Sequence, residues 1–334
     1  MLRHQMFLFR GRILWVCLAL LLAFPVAAVS AEEAGTSPSS RTYDCRYGSN
    51  GAAPLQQAGS QPVEVFPEND VFRPLLADPK QPQFFAAYQT VRIRNPSVQA
   101  NSNFGTSVNV GSVGFGENFG LVGQRNGCNG WQVGILAGVF AQFNLDASSA
   151  DLINSDYVIG IPFSWRKDLL STRVRLSHQS SHLGDEFVLG NPGIQRLDYS
   201  FEEVEVIGSF DSPDRRWRVY GGGAYLLRRS PSTLDRLDAH WGLEYRGPAF
   251  HWSGFKPAVT GSLAMIPVFG ADFSASENNH WEIGGNAVAG LEWFRAGGSR
   301  RLRMMVNYYN GFNPYGQFFA QKVETVGFGI YLVF

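Results

Sequence analysis

Apolar and polar residues alternate with a period of two through most of the chain after residue 83. In the segment Trp131–Leu145 one face carries Trp, Val, Ile, Ala and Phe, whereas the other carries Gln, Gly and Asn. Similar segments start near Phe84, Trp217, Leu302 and Val323 and at several points between them. This period is typical of β-strands whose two faces meet different surroundings, and about twelve such strands are predicted.

The polar faces of these strands distinguish a soluble barrel from a membrane barrel. They carry many charged side chains, including Arg173, Arg175, Arg218, Glu244, Glu282, Glu292, Arg301 and Arg303. A dry core would not accept so many charges, whereas a wet lumen would pair and hydrate them. The apolar faces would then meet lipid. The sequence therefore predicts an all-β fold, a transmembrane antiparallel β-barrel of about twelve strands over residues 83–334.

The ends of the predicted strands fit a bacterial outer-membrane barrel. The long connections, such as 146–156 and 183–196, alternate with short ones, such as 168–169, as they do between the outer and inner sides of these barrels. Four Trp residues fall at the predicted inner boundary, as an interfacial girdle requires: Trp131, Trp165, Trp217 and Trp293. The last strand ends in Phe334. It resembles the C-terminal strand of outer-membrane proteins, which implies that Phe334 is an assembly signal read by the barrel-assembly machinery.

The N-terminal residues predict export. Basic Arg3, Arg10 and Arg12 precede an apolar run that ends in small residues at Ala31, so residues 1–31 are predicted to be a signal peptide. An uncleaved anchor is the alternative, but Pro25 and the small-residue exit fit cleavage better. Residues 32–82 are rich in Ser, Gln, Gly and Pro and are predicted to be an irregular periplasmic extension.

Composition and charge narrow the range of predicted binding partners. Only 17% of residues are charged and the net charge is zero, so affinity for nucleic acid has no electrostatic support. Outer-membrane lipids are the predicted surroundings and partners.

Once the signal peptide is removed, Cys45 and Cys128 remain, an even pair in an exported protein. Both are predicted on the periplasmic side, where oxidising surroundings permit a disulfide bond between them.

Three short segments carry a family resemblance. They are Asn154-Ser155-Asp156-Tyr157, the stretch 177–187, which reads SHQSSHLGDEF, and the stretch 218–223, which reads RVYGGG. In these segments the chain resembles a proteobacterial outer-membrane family known as domain-of-unknown-function family number 1207, over roughly residues 66–334. The resemblance implies a barrel in the bacterial outer membrane. It implies no activity, because none is established for that family.

The predicted strand that starts at Leu170 carries candidate chemistry. Its alternation places His178 and Ser180 on the lipid-facing side near the outer leaflet, and an imidazole beside a hydroxyl is the minimum for nucleophilic acyl transfer. Asp185 or Glu186 is the predicted carboxylate that orients the imidazole. The His-x-Ser spacing is similar to that of outer-membrane phospholipase A and the lipid A deacylase, which implies an outer-leaflet lipid acyl hydrolase.

Other interpretations stay open beside the hydrolase. The same polar residues could simply structure the place where the strand leaves the membrane, and the resulting structural or surface role is the main prediction, with the hydrolase as its alternative. His178, His182, Asp185 and Glu186 could instead bind a metal ion. A barrel of about twelve strands could also hold a narrow channel, although the charged lumen favours a plugged one. The sequence identifies no cofactor.

Overall fold

The computed structural model describes five stretches of the chain: residues 62–67, 69–94, 107–251, 263–295 and 300–333. The predicted signal peptide, Cys45 and Phe334 lie outside the described residues.

Strands make up most of the described residues. In chain order, β1–β14 are Val63–Val65, Phe84–Ile93, Ser107–Asn126, Asn129–Asn144, Asp151–Lys167, Leu170–Leu183, Tyr199–Asp211, Trp217–Ser230, Leu237–Arg246, Phe250–His251, Leu263–Ser276, Gly284–Arg295, Arg301–Phe312 and Lys322–Val333. One α-helix, α1, spans Asp185–Gly190, and 3-10 turns span Glu277–Asn279 and Gly316–Phe318. None of the helices in the described part of the chain is long and apolar enough to cross a membrane.

Twelve of the strands close into a barrel. From β2 to β9 and from β11 to β14, each strand pairs antiparallel with the next, and the pairs β14–β2 and β9–β11 complete the circuit. The short strand β1 adds to β3, and β10 adds to β11. The predicted closed antiparallel barrel of about twelve strands is thus confirmed. Closure leaves the twelve strands without an open edge, so their backbone groups are paired within the wall.

The outer wall is apolar. On β5 every second side chain points outward and is at least 40% exposed: Tyr157, Ile159, Ile161, Phe163 and Trp165. Trp131 and Trp165 lie directly opposite each other on β4 and β5, and Trp217 packs on Tyr245 with ring centroids 4.6 Å apart. The short turns adjoin these Trp residues, so the predicted girdle lies at one end of the barrel.

The lumen is charged. Glu205 accepts from Arg173 at 2.8 Å and from Arg175 at 2.7 Å, and Glu292 accepts from Arg303 at 2.7 Å. These cross-strand pairs confirm the predicted charge network and explain how a membrane barrel tolerates buried charges, because each carboxylate meets a guanidinium.

Glu282 is an exception, and the expectation that it faces the lumen is wrong. His280 and Trp281 adopt positive φ angles of 54° and 60° after a 3-10 turn, so β12 begins only at Gly284. Glu282 consequently lies at the exposed rim, where its side chain accepts a hydrogen bond from Lys322 at 2.5 Å.

Residues 69–82, called here the plug, run through the lumen. The sequence assigns them to an irregular periplasmic extension; their conformation is irregular, but most of their side chains are buried, and they lie inside the barrel. Phe72, Leu75 and Leu76 are each no more than 2% exposed. The wall makes room for the plug at Gly270, where an added Cβ would lie 3.0 Å from the Cβ of Ala77.

Polar contacts fix the plug to strands on several sides of the lumen. Asp211 of β7 binds both Arg73 of the plug and Arg166 of β5. The Leu76 amide donates to Glu244 at 2.6 Å, and Asn286 donates to the Ala77 carbonyl at 2.7 Å. The plug thereby satisfies wall charges that a bare lumen would leave to water.

Candidate functional site

The candidate site lies on the outer wall of β6. Ser171, Arg173 and Ser177 point inward and are buried, as predicted. His178 and Ser180, which have the opposite parity, point outward among the apolar side chains of the wall. Since β6 runs from the Trp-rich end to the end with long connections, both residues lie in its second half, toward the long connections.

Glu202 is the carboxylate that the structure places on His178. It lies directly opposite His178 on β7, and its Oε1 is 3.1 Å from Nδ1 of the imidazole. An ionised carboxylate only accepts, so Nδ1 carries the proton and, in the neutral imidazole, Nε2 is left as a base. Both side chains are partly exposed, at 43% and 38%, and so are accessible from outside the barrel.

Glu202 lies on the outer face by the regular parity of β7, which stays in register with β6, and the β-bulge beside it belongs to β8. The register between β7 and β8 shifts between Glu202 and Glu203. Glu203 points inward, where it accepts hydrogen bonds from Ser177 at 3.0 Å and Arg175 at 3.2 Å. Glu202 is not among the carboxylates that the sequence predicts for this site. Two adjacent Glu residues were the available signal, because neighbours in a strand face opposite sides.

Two rows of polar residues cross the strands here. One row pairs His178 with Glu202 and Glu202 with Arg228 of β8. The other pairs Tyr157 with Ser180, Ser180 with Ser200, and Ser200 with Ser230. Directly paired residues share one face of a sheet. We call these seven residues the outer patch: Tyr157, His178, Ser180, Ser200, Glu202, Arg228 and Ser230.

The other predicted site residues lie apart from the His178–Glu202 pair. Asp185, at the start of α1, binds Arg196 across the loop, and Glu186 is exposed on the same helix. His182 packs its ring edge-on against Tyr157, with centroids 5.9 Å apart. The structure therefore gives the imidazole of His178 the carboxylate of Glu202 in place of Asp185 or Glu186. Within the described residues, no group of three or more His, Cys, Asp or Glu side chains is arranged to bind a metal ion.

Among the described residues near Ser180, few hydrogen-bond donors could stabilise the oxyanion that acyl transfer would form. The Gly184 amide is engaged, because it donates to the Ile153 carbonyl at 3.1 Å. Tyr157 lies directly opposite Ser180, and its phenol oxygen accepts from Ser155 at 3.4 Å. Its own O–H proton is then available to a group bound at Ser180.

The inner face of β6 holds the site rigid. Ser181 donates to Asn154 at 3.1 Å, and its oxygen accepts from the Gln317 amide at 3.0 Å. The Gln317 side chain also donates to the Ser181 carbonyl at 2.7 Å. These bonds fasten the outer loop 313–321 to the strand that carries His178 and Ser180, so the outer patch stands on an anchored wall.

The lumen beside the plug contains a cavity of about 70 Å³. Gln89, Asn286, Asn307 and Tyr315 are among the side chains that line it. Burial raises the pKa of Tyr315, which lies in the outer loop, so its phenol stays protonated. A space of this size holds a few water molecules beside the plug.

Cys128 lies in the turn between β3 and β4 and is 3% exposed. It is disulfide-bonded. Its partner lies outside the described residues, so the pairing with Cys45 stays a prediction.

A closed antiparallel barrel with an apolar outer wall and a charged lumen has the architecture of the outer-membrane β-barrels of Gram-negative bacteria. The chain belongs to the family described as "Protein of unknown function (DUF1207)", whose model matches residues 29–334. The family resemblance seen in the sequence is confirmed. No curated protein matches the chain.

Solved structures share the barrel at low identity. Outer membrane phospholipase A from Escherichia coli is 11% identical, with 75% of this chain and 90% of that chain covered and a TM-score of 0.48. LpxR from Salmonella typhimurium is 9% identical, with 75% and 100% covered and a TM-score of 0.36. The KdgM porin is 8% identical, with 73% and 97% covered and a TM-score of 0.36. A phospholipase and a porin are thus both among the similar structures, and these likenesses assign no activity.

Proposed function

We propose that this protein resides in the outer membrane and hydrolyses acyl esters of outer-leaflet lipids, with Ser180 as nucleophile. One observation carries the proposal: Glu202 lies 3.1 Å from Nδ1 of His178, on the same outer face as Ser180. A nucleophile, a base and a carboxylate that orients the base are the minimum for hydroxyl-based acyl transfer. The predicted signal peptide and the terminal Phe334 support export and assembly by the barrel-assembly machinery.

The residues have distinct roles in the proposed reaction. Oγ of Ser180 attacks the ester carbonyl while Nε2 of His178 takes its proton. The tetrahedral oxyanion accepts the phenol proton of Tyr157 in a hydrogen bond. The ester C–O bond then breaks, and His178 gives its proton to the leaving alcohol. Water, activated by the same imidazole, attacks the acyl-enzyme and releases the fatty acid, restoring Ser180.

The position of the outer patch supports a lipid substrate. Its neighbours on the outer wall are apolar side chains such as Ile159 and Leu176, which are 57% and 49% exposed. Acyl chains are the molecules that would cover such a surface. The site lies toward the end with long connections, opposite the Trp girdle, so an outer-leaflet lipid would present its ester groups near that height.

The test is fatty-acid release by the full-length barrel refolded in detergent. Phospholipid and lipopolysaccharide are supplied separately, and released fatty acids are measured by mass spectrometry. Ser180→Ala and His178→Ala should each lower the rate by at least about 10³-fold. Ser177→Ala is the matched control, because Ser177 lies on the same strand but points into the lumen, where it donates to Glu203. Equal release by wild type and Ser180→Ala would leave the outer patch with a structural role only.

A further inference from the structure

Arg228 extends the outer patch by one strand. It pairs directly with Glu202, which in turn pairs with His178, so three adjacent strands carry a base, an acid and a guanidinium in one row. Arg228 is exposed. Neighbouring strands lie about 4.8 Å apart, which puts the Cα of Arg228 roughly 10 Å from that of His178. A long side chain can close much of that distance.

The guanidinium of Arg228 differs from those of its neighbours. Arg229 donates to the Ser232 carbonyl at 3.2 Å, and Arg236 donates to the Leu226 carbonyl at 2.6 Å. Arg228 has no hydrogen bond or ion pair with any of the described residues, and Glu202 is engaged with His178. A guanidinium carries five N–H donors and prefers planar or tetrahedral oxyanions. On a wall that faces lipid, an anion that it can meet is a lipid phosphate.

We propose that Arg228 binds the phosphate group of the lipid whose acyl ester lies at Ser180. This inference deepens the proposed function and rests on it for the position of the ester. In a glycerophospholipid, and in a phosphorylated glucosamine-based lipid, only a few bonds separate a phosphate from an ester carbonyl. A phosphate at Arg228 and an ester at Ser180 are therefore compatible with one bound molecule. The substrate class is thus a phosphorylated lipid, and Arg228 determines specificity without taking part in bond cleavage.

The test measures lipid binding separately from turnover. In the Ser180→Ala background, which prevents hydrolysis, native mass spectrometry in detergent compares phosphatidylglycerol with diacylglycerol of the same chains. It also compares lipid A with its dephosphorylated form. Arg228→Gln should weaken binding of the phosphorylated lipids about tenfold or more and leave the unphosphorylated lipids unchanged. Arg228→Lys should recover part of the affinity. The two pairs of lipids show whether the phosphate belongs to a glycerophospholipid or to a glycolipid.

Arg94→Gln is the matched control. Arg94 is also exposed at the end with long connections, but it follows β2 on another part of the wall, where it binds Glu324. It should leave binding unchanged. Equal affinity of wild type and Arg228→Gln for phosphorylated lipids would overturn the inference, as would equal losses for phosphorylated and unphosphorylated lipids. If phosphate-selective binding depends on Arg228 but no lipid is hydrolysed, the proposed function fails and the phosphate site stands.

Discussion

Glu202 and His178 are directly paired residues of β7 and β6, and their side chains meet on the outside of the barrel at 3.1 Å. A carboxylate and an imidazole are costly on a surface that faces acyl chains, since neither satisfies its polar atoms there alone. Their pairing reduces that cost and fixes the tautomer of the imidazole. The regular register between β6 and β7, which pairs the two residues on the outer face, is therefore the backbone feature that completes the arrangement around Ser180.

Glu202→Gln should slow lipid hydrolysis without unfolding the barrel. The amide can present its NH₂ to Nδ1, which favours the tautomer whose Nε2 carries the proton and cannot act as base. We expect a loss of about 10² to 10⁴-fold in kcat, measured as initial rates of fatty-acid release. Glu324→Gln, on the opposite part of the outer rim, is the control and should retain the wild-type rate. Full activity of Glu202→Gln would remove Glu202 from the proposed reaction.

The buried carboxylate of Asp211 should be a major source of stability. It binds Arg73 of the plug and Arg166 of the wall, and it is fully buried. Asp211→Ala removes the carboxylate that both guanidinium groups share, and breaking a buried ion pair from one side costs about 3–5 kcal/mol. Urea unfolding in detergent should show this loss. Asp214→Ala, in the exposed turn after β7, should change stability little. Equal stability of the two variants would mean that the Arg73–Asp211 contact contributes nothing.

The sequence predicted what local alternation controls. Inward Arg173 and outward His178 follow from strand parity alone, because side chains alternate faces in every strand. The plug could not be found in this way. Phe72, Leu75 and Leu76 show no period of their own, and their neighbours come from strands far away in sequence. Glu202 was missed for a related reason: its position opposite His178 depends on the register across the long connection between β6 and β7, which local alternation does not determine.

Deletion of residues 70–81 should turn the barrel into a channel. The plug fills the lumen beside a cavity of only about 70 Å³, and a twelve-stranded barrel is wide enough to conduct ions once emptied. In planar bilayers, the deletion variant should give discrete conductance steps and wild type should give none. The variant must first show heat-modifiable migration, which reports a closed barrel. Similar conductance from both proteins would show that the plug does not seal the lumen.

The disulfide of Cys128 should join it to Cys45. Cys128 is buried in the turn between β3 and β4, at the end with short turns, and Cys45 precedes the plug in sequence. A bond between them would tie the chain entering the plug to the barrel, and removing such a bond typically costs about 2–5 kcal/mol. Peptide mapping without reduction should find the Cys45–Cys128 peptide. Cys45→Ser and Cys128→Ser should lower stability equally, because each removes the same bond. Cys17→Ser is the control and should have no effect on the mature protein, since the predicted cleavage after Ala31 would remove Cys17. Recovery of Cys128 linked to Cys17, or as a free thiol in freshly isolated protein, would contradict this assignment.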